Sequence, residues 1–261
     1  MAETIWWIER GAGPLVATAI HDGHDVRPEV ERLMSISEAD RRREEDPFTA
    51  DWTEVAPTRV VGTRSRFEVD LNRPRDMAVY RTPAEAWGLD VWRNGIPEVD
   101  LARSIEQYDA FYRALGALYS DMVDRHGRFV VFDLHTYNHR REGPDGPVAD
   151  PSLTPQINVG TGTLTDRRNW APVIDRFMSD LAGFDFPGGR LDVRENVNFR
   201  GGHSGEWAHT TYPGSVCVLS IEVKKFFMDE WTGRLDPTLH AGVGHALAAA
   251  VPGVLEELER L

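Results

Sequence analysis

The sequence predicts an α/β protein, a sheet with helices packed on both faces. Two observations carry that prediction. Continuous apolar runs of strand length alternate along the chain with longer stretches of helical spacing. Histidines and carboxylates stand at or just past the ends of those apolar runs, which is where ligand sites form in open α/β sheets. The 261 residues suffice for one large domain with a sizeable core, and on length alone two small domains remain open.

The elements follow in order. Leu15-Val-Ala-Thr-Ala-Ile20 reads as a buried strand that stops at His21. Val60 and Val61 suggest a second, short strand. Between Leu101 and Arg125 the apolar residues Ile105, Tyr108, Phe111, Leu115, Leu118 and Met122 recur at helical spacing. Arg128-Phe-Val-Val-Phe-Asp-Leu134 is an apolar run that ends at His135. Asn169 to Ala182 and His240 to Leu261 read as helices, with a strand over Ser215–Val223 between them. The stretches 35–60, 74–100 and 139–165 are irregular and rich in Pro, Asp, Arg and Gly; loops of this length are usually functional.

Composition narrows the function classes. The formal net charge of −13 argues against non-specific binding to nucleic acid or to membranes. A small anionic substrate remains compatible, because a local arginine pocket overrides the global field. The single cysteine, Cys217, lies in an apolar strand and can form no internal disulfide. The first residues lack a basic region followed by a long apolar stretch, and we expect neither a signal peptide nor a transmembrane helix, hence a cytoplasmic protein.

Four segments carry residues suited to chemistry. In Ile20-His-Asp-Gly-His-Asp25, a glycine between two histidines allows a sharp turn that would aim His21 and His24 at one ion. Imidazole and carboxylate suit zinc and similar divalent metals. In Phe132-Asp-Leu-His135, Asp133 and His135 point the same way on a strand, either as co-ligands or with the carboxylate supporting the histidine. Ser65-Arg-Phe-Glu-Val-Asp-Leu-Asn-Arg73 alternates polar and apolar residues as a half-buried strand would, and Arg73 suits bidentate carboxylate recognition. Glu222 stands alone in the apolar strand Ser220–Lys224. Such a carboxylate is costly unless it has a task, and beside a metal-bound water it is a natural general base. Lys224 or Lys225 could instead pair with it.

Taken in order, several short blocks resemble the N-formylglutamate amidohydrolase family, a distant relative of zinc carboxypeptidases and aspartoacylases. They are Ala19-Ile-His-Asp-Gly23, Glu45-Asp-Pro47, Ser65–Pro74, Phe132-Asp-Leu-His135, Ile157-Asn-Val-Gly160, Phe199-Arg-Gly-Gly-His203 and Leu219-Ser-Ile-Glu-Val223. The resemblance implies one α/β domain over 1–261 with a central mixed sheet, of the zinc-carboxypeptidase-like (phosphorylase/hydrolase-like) class. It implies one divalent metal, zinc foremost, although His and Asp ligands also accept Mn, Fe, Co or Ni, with His21 and His135 as ligands. It also implies hydrolysis of the N-acyl, foremost N-formyl, amide of a small carboxylate substrate. The alternatives are a metallopeptidase or deacylase acting on another acyl amino acid, and a non-catalytic metal- or small-acid-binding protein on the same scaffold. Glu222 would be the general base and Arg66 the oxyanion donor. Arg73 with Asn72 would hold the substrate carboxylate, and His203 would line the pocket. The middle ligand stays open. Local spacing favours His24, whereas the family draws on a downstream acid, here Asp46 or its neighbour Glu45.

Overall fold

The computed structural model describes residues 4–261. Seven strands form one mixed sheet: β1 (Trp6–Glu9), β2 (Leu15–Ala19), β3 (Thr58–Gly62), β4 (Phe129–Tyr137), β5 (Ile157–Gly160), β6 (Val193–Glu195) and β7 (Val216–Lys224). Their order across the sheet is β1-β3-β2-β4-β7-β5-β6. The centre, β3-β2-β4-β7, is parallel, while β1 and β5 join their inner neighbours antiparallel. All five residues of β2 and all nine of β4 are buried, which is why these strands read as unbroken apolar runs rather than as alternations.

The helices are α1 (Pro28–Glu31), α2 (Glu38–Glu44), α3 (Thr49–Trp52), α4 (Glu98–His126), α5 (Ala171–Gly183), α6 (His203–Thr211) and α7 (Pro237–Glu259). The long α4 turns Phe111, Leu115, Leu118 and Met122 onto one sheet face, against Val16, Val131 and Val218. It stops at Gly127, whose φ of +71° suits glycine at a helix end. The opposite face carries Ala17, Phe132 and Leu219, covered by Ile174 and Phe177 of α5 and by Val243, Leu247 and Val254 of α7. Helices therefore cover both faces, as the alternation predicts. By length and composition alone α7 could cross a membrane, and 44% of that span is buried within the fold.

One expected strand is absent. Residues 65–73 form a chain of turns, in which the Glu68 and Val69 amides both donate to the Ser65 carbonyl at 3.0 and 3.2 Å. The alternation arises because both sets of side chains are buried. Phe67 joins a small cluster with Val30 and Tyr80, and Val69 and Leu71 join the α4 core. Glu68 and Asp70 are fully buried on ion pairs, Glu68 with Arg27 at 2.5 Å and Asp70 with Arg66 at 2.8 Å.

Candidate metal centre

Parallel strands deliver their carboxyl ends to one edge of the sheet, and three chain segments meet there. His21 lies two residues beyond β2, and His135 lies within β4. Asp46 follows α2, and its amide donates to the His21 carbonyl at 3.0 Å, which ties the loop to the end of β2. One ligand atom from each of His21, Asp46 and His135 lies within 4.8 Å of the others, and all three residues are buried. Asp46 Oδ2 is 3.5 Å from His21 Nδ1 and 3.0 Å from His135 Nδ1. Its Oδ1 accepts from the Thr136 hydroxyl at 2.9 Å.

The far nitrogen of each ring is held by another carboxylate. His21 Nε2 stands 2.7 Å from Asp70 Oδ1, and His135 Nε2 3.2 Å from Asp133 Oδ2. Asp70 also accepts from Arg66, the Tyr80 hydroxyl and the Asn72 amide. Asp133 accepts from Thr18 at 2.6 Å and Ser204 at 2.8 Å. These anchors fix ring orientation and tautomer in the manner of metal-binding histidines.

Burial opposes every charge here, and opposite charges decide which survive. Burial raises Asp46, but His135 and His21 outweigh it and hold its carboxyl well below the usual range. Burial lowers His135, yet Asp133 and Asp46 drive it well above its ordinary value. Glu222 goes the other way: burial pushes it up to about 8, with the positive His135 only partly opposing. Glu222 is the β7 register partner of His135.

These groups line a cavity of about 190 Å³, whose wall also carries Arg66, Asn72, Trp87, Arg141 and Lys225. A sequence model of the N-formylglutamate amidohydrolase family matches residues 13–228. The chain belongs to the N-formylglutamate amidohydrolase family. Among solved structures, N-formylglutamate amidohydrolase from Ralstonia eutropha JMP134 is 16% identical and superposes with a TM-score of 0.75, covering 99% of each chain. The Agrobacterium tumefaciens gene product Atu2144 is also 16% identical, with a TM-score of 0.64, covering 97% of this chain and 96% of its own. At such identities the likeness concerns the fold. Comparison with curated protein sequences gave no match.

Within this member of the amidohydrolase family, some expected residues lie apart from the cluster. His24 is not in it; its Nδ1 pairs with Glu45 Oε2 at 2.5 Å and its Nε2 with Glu38 at 3.4 Å. Gly23 explains why. A Cβ there would sit 2.2 Å from the Thr63 carbonyl carbon, and the Asp25 amide donates to the Thr63 carbonyl. The glycine serves close passage alongside Thr63, just past β3, not a turn that would aim His24 at the His21–Asp46–His135 cluster. Glu45 is occupied by His24 and Ser65. Arg73 donates to the Glu85 carbonyl at 2.9 Å and lies over the Tyr80 ring, outside the residues that line the cavity. His203 begins α6 against Tyr112 and is likewise outside the lining, which Gly201 and Gly202 supply instead. Lys225 does not pair with Glu222; its ammonium donates to the carbonyls of Arg43 and Glu45 at 2.5 and 2.8 Å.

Sequence reasoning missed Tyr80, Trp87 and Arg141 as parts of this neighbourhood, and offered Lys225 only as an ion-pair partner for Glu222. Arg141 sits in His139-Arg-Arg-Glu142, which reads as surface charge, and Lys225 is the second of two adjacent lysines. Neither carries a local signal.

Proposed function

We propose that the protein is a metal-dependent amidohydrolase that cleaves the N-acyl, specifically N-formyl, amide of a small carboxylate-bearing substrate such as N-formylglutamate. The observation that carries this reading is the convergence of His21 Nδ1, His135 Nδ1 and Asp46 Oδ2 beside the half-buried Glu222. The donor set fits zinc. Bonds of about 2.0–2.1 Å in a tetrahedron space neighbouring donors about 3.3 Å apart, and the two separations from Asp46 Oδ2 are 3.0 and 3.5 Å. Two imidazoles and a carboxylate this close need protons or a cation between them, and the Nε2 anchors leave both Nδ1 atoms facing inward.

His21, Asp46 and His135 would hold the ion. When bound, it supplies Lewis acidity that acidifies water and polarises a carbonyl. The remaining work falls to this chain's residues. Glu222, beside His135 in the strand register, takes the proton of the attacking water and returns it to the leaving amine. Arg66, fixed by Asp70 and Tyr80, presents its guanidinium to the carbonyl oxygen as charge develops there. Asn72 is anchored through its Oδ1, which accepts from the Ser204 amide at 2.9 Å, and its amide nitrogen stands 3.5 Å from His135 Nε2.

The test pairs turnover with metal content. Wild-type protein supplied with zinc should hydrolyse N-formylglutamate with about one metal per chain. Glu222→Gln should keep the metal and lose about 10²–10⁴-fold in kcat. Metal-free protein that turns over at the full rate would exclude this reading. A Glu222→Gln variant above about a tenth of wild-type kcat would remove Glu222 as the base.

A further inference from the structure

Three cationic side chains line the catalytic cavity: Arg66, Arg141 and Lys225. They differ in how far their donors are already committed. Arg66 gives its Nε and Nη2 to Asp70 and Tyr80 and its Nη1 to the Glu44 carbonyl. Lys225 is fully buried, and two of its three hydrogens go to backbone carbonyls. Arg141 differs from both. Among the described residues its guanidinium makes no hydrogen bond, and its one ion pair is a loose 3.8 Å contact with Glu44 Oε2. Its side chain is 55% exposed, so the contact is screened by water and easily exchanged. Glu44 has a closer partner in Arg43, at 2.6 Å.

Position adds a second argument. Arg141 also lines an adjoining cavity of about 460 Å³, which shares Tyr137, Asn138 and Phe199 with the catalytic one. Arg141 thus borders both spaces. A planar fork with free N–H groups matches a carboxylate bidentately, as a lysine cannot. Arg73, by contrast, is engaged with Glu85 and stacked on Tyr80 behind the wall.

We propose that Arg141 is the carboxylate clamp of this site, and that Arg73 braces the wall behind Arg66. The proposal rests on the amidohydrolase reading above. It places substrate selection on the loop after β4, apart from Glu222 and Arg66, which do the chemistry.

The experiment compares N-formyl-L-glutamate with its two monoamides, one lacking the α-carboxylate and one the side-chain carboxylate. Arg141→Ala should raise KM about 10–100-fold on the diacid and on one monoamide, with a much smaller rise on the other. Arg141→Lys should recover only part of the loss, and the kcat on the diacid should change far less than KM. Arg73→Ala should affect all three substrates alike. Equal penalties for Arg141→Ala on all three, or no penalty, would overturn the assignment. So would the selective pattern appearing in Arg73→Ala instead. If wild-type protein hydrolyses none of the three, the amidohydrolase reading itself fails and takes the clamp with it. Because Arg141 is exposed on a loop, a matching melting temperature confirms that the variant is folded.

Discussion

The Nε2 atoms of His21 and His135 are each held by a carboxylate, Asp70 and Asp133 respectively, so each ring can turn only its Nδ1 toward Asp46. That arrangement makes two predictions at single residues. Asp46→Ala should abolish metal binding, whereas His24→Ala should leave it nearly intact, because His24 is spent on Glu45 and Glu38. Isothermal titration with zinc distinguishes them, and loss of affinity in His24→Ala alone would reverse the choice of middle ligand. Asp70→Asn and Asp133→Asn should each weaken metal binding about 10–100-fold while the ligands themselves stay in place. Unchanged affinity in both would mean that the anchors are dispensable. The sequence made His21, His135 and Glu222 legible because each interrupts or ends an apolar run. It left His24 against Asp46 open because what keeps His24 out of the cluster, the passage of Gly23 along Thr63, joins positions 40 residues apart.

Asp46 owes its place to elements rather than to its own contacts alone. The short helix α2 ends at Glu44, and the chain from Arg43 to Asp46 must then bend toward His135. Lys225, just past the end of β7, grips this bend through the carbonyls of Arg43 and Glu45. Burial lowers its ammonium to about 8, with Asp46 among the charges that oppose the fall. Lys225→Met would leave both carbonyls short of a donor and release the bend. We expect zinc affinity to fall at least about tenfold, as for loss of a group that orients a ligand, with partial recovery in Lys225→Arg. A chelator competition assay reads this directly, and wild-type affinity in Lys225→Met would show that the bend holds itself. Among the elements, the buried strands β2, β4 and β7 and the helices α4, α5 and α7 were legible from periodicity. The edge strands β1 and β6 were not, being only four and three residues long. The turns over 65–73 mimicked a strand because buried ion pairs occupy the positions where a half-exposed strand carries surface polar residues.

At the scale of the whole molecule, the chain carries a net charge of −13, yet its cavity places Arg66, Arg141 and Lys225 among the carboxylates of Glu44, Asp46 and Glu222. Stability also has a global pH dependence with a local origin. Strand β7 pairs with β5 only from Ser220 onward, so the Val218 amide needs another acceptor. His209 of α6 supplies it: its Nε2 accepts from that amide at 3.0 Å, and its Nδ1 then donates to the Thr163 hydroxyl at 3.0 Å. Protonating Nε2 would remove the acceptor and place a charge in the interior. Burial accordingly lowers His209 to about 4 from its ordinary 6.5. The unfolded chain therefore binds the proton more readily than the folded one between these values. This contribution is complete above pH 6.5 and is lost as pH falls toward 4. A shift of that size corresponds to about 3 kcal/mol. His209→Gln keeps an acceptor for Val218 but cannot titrate. Urea unfolding of both proteins from pH 8 to pH 4 should show wild type losing about 3 kcal/mol more than the variant over the acid limb. Subtracting the variant removes what the other carboxylates and histidines contribute in common. Parallel curves would mean that the helix–strand contact tolerates a charged imidazole and that the acid sensitivity of the fold lies elsewhere.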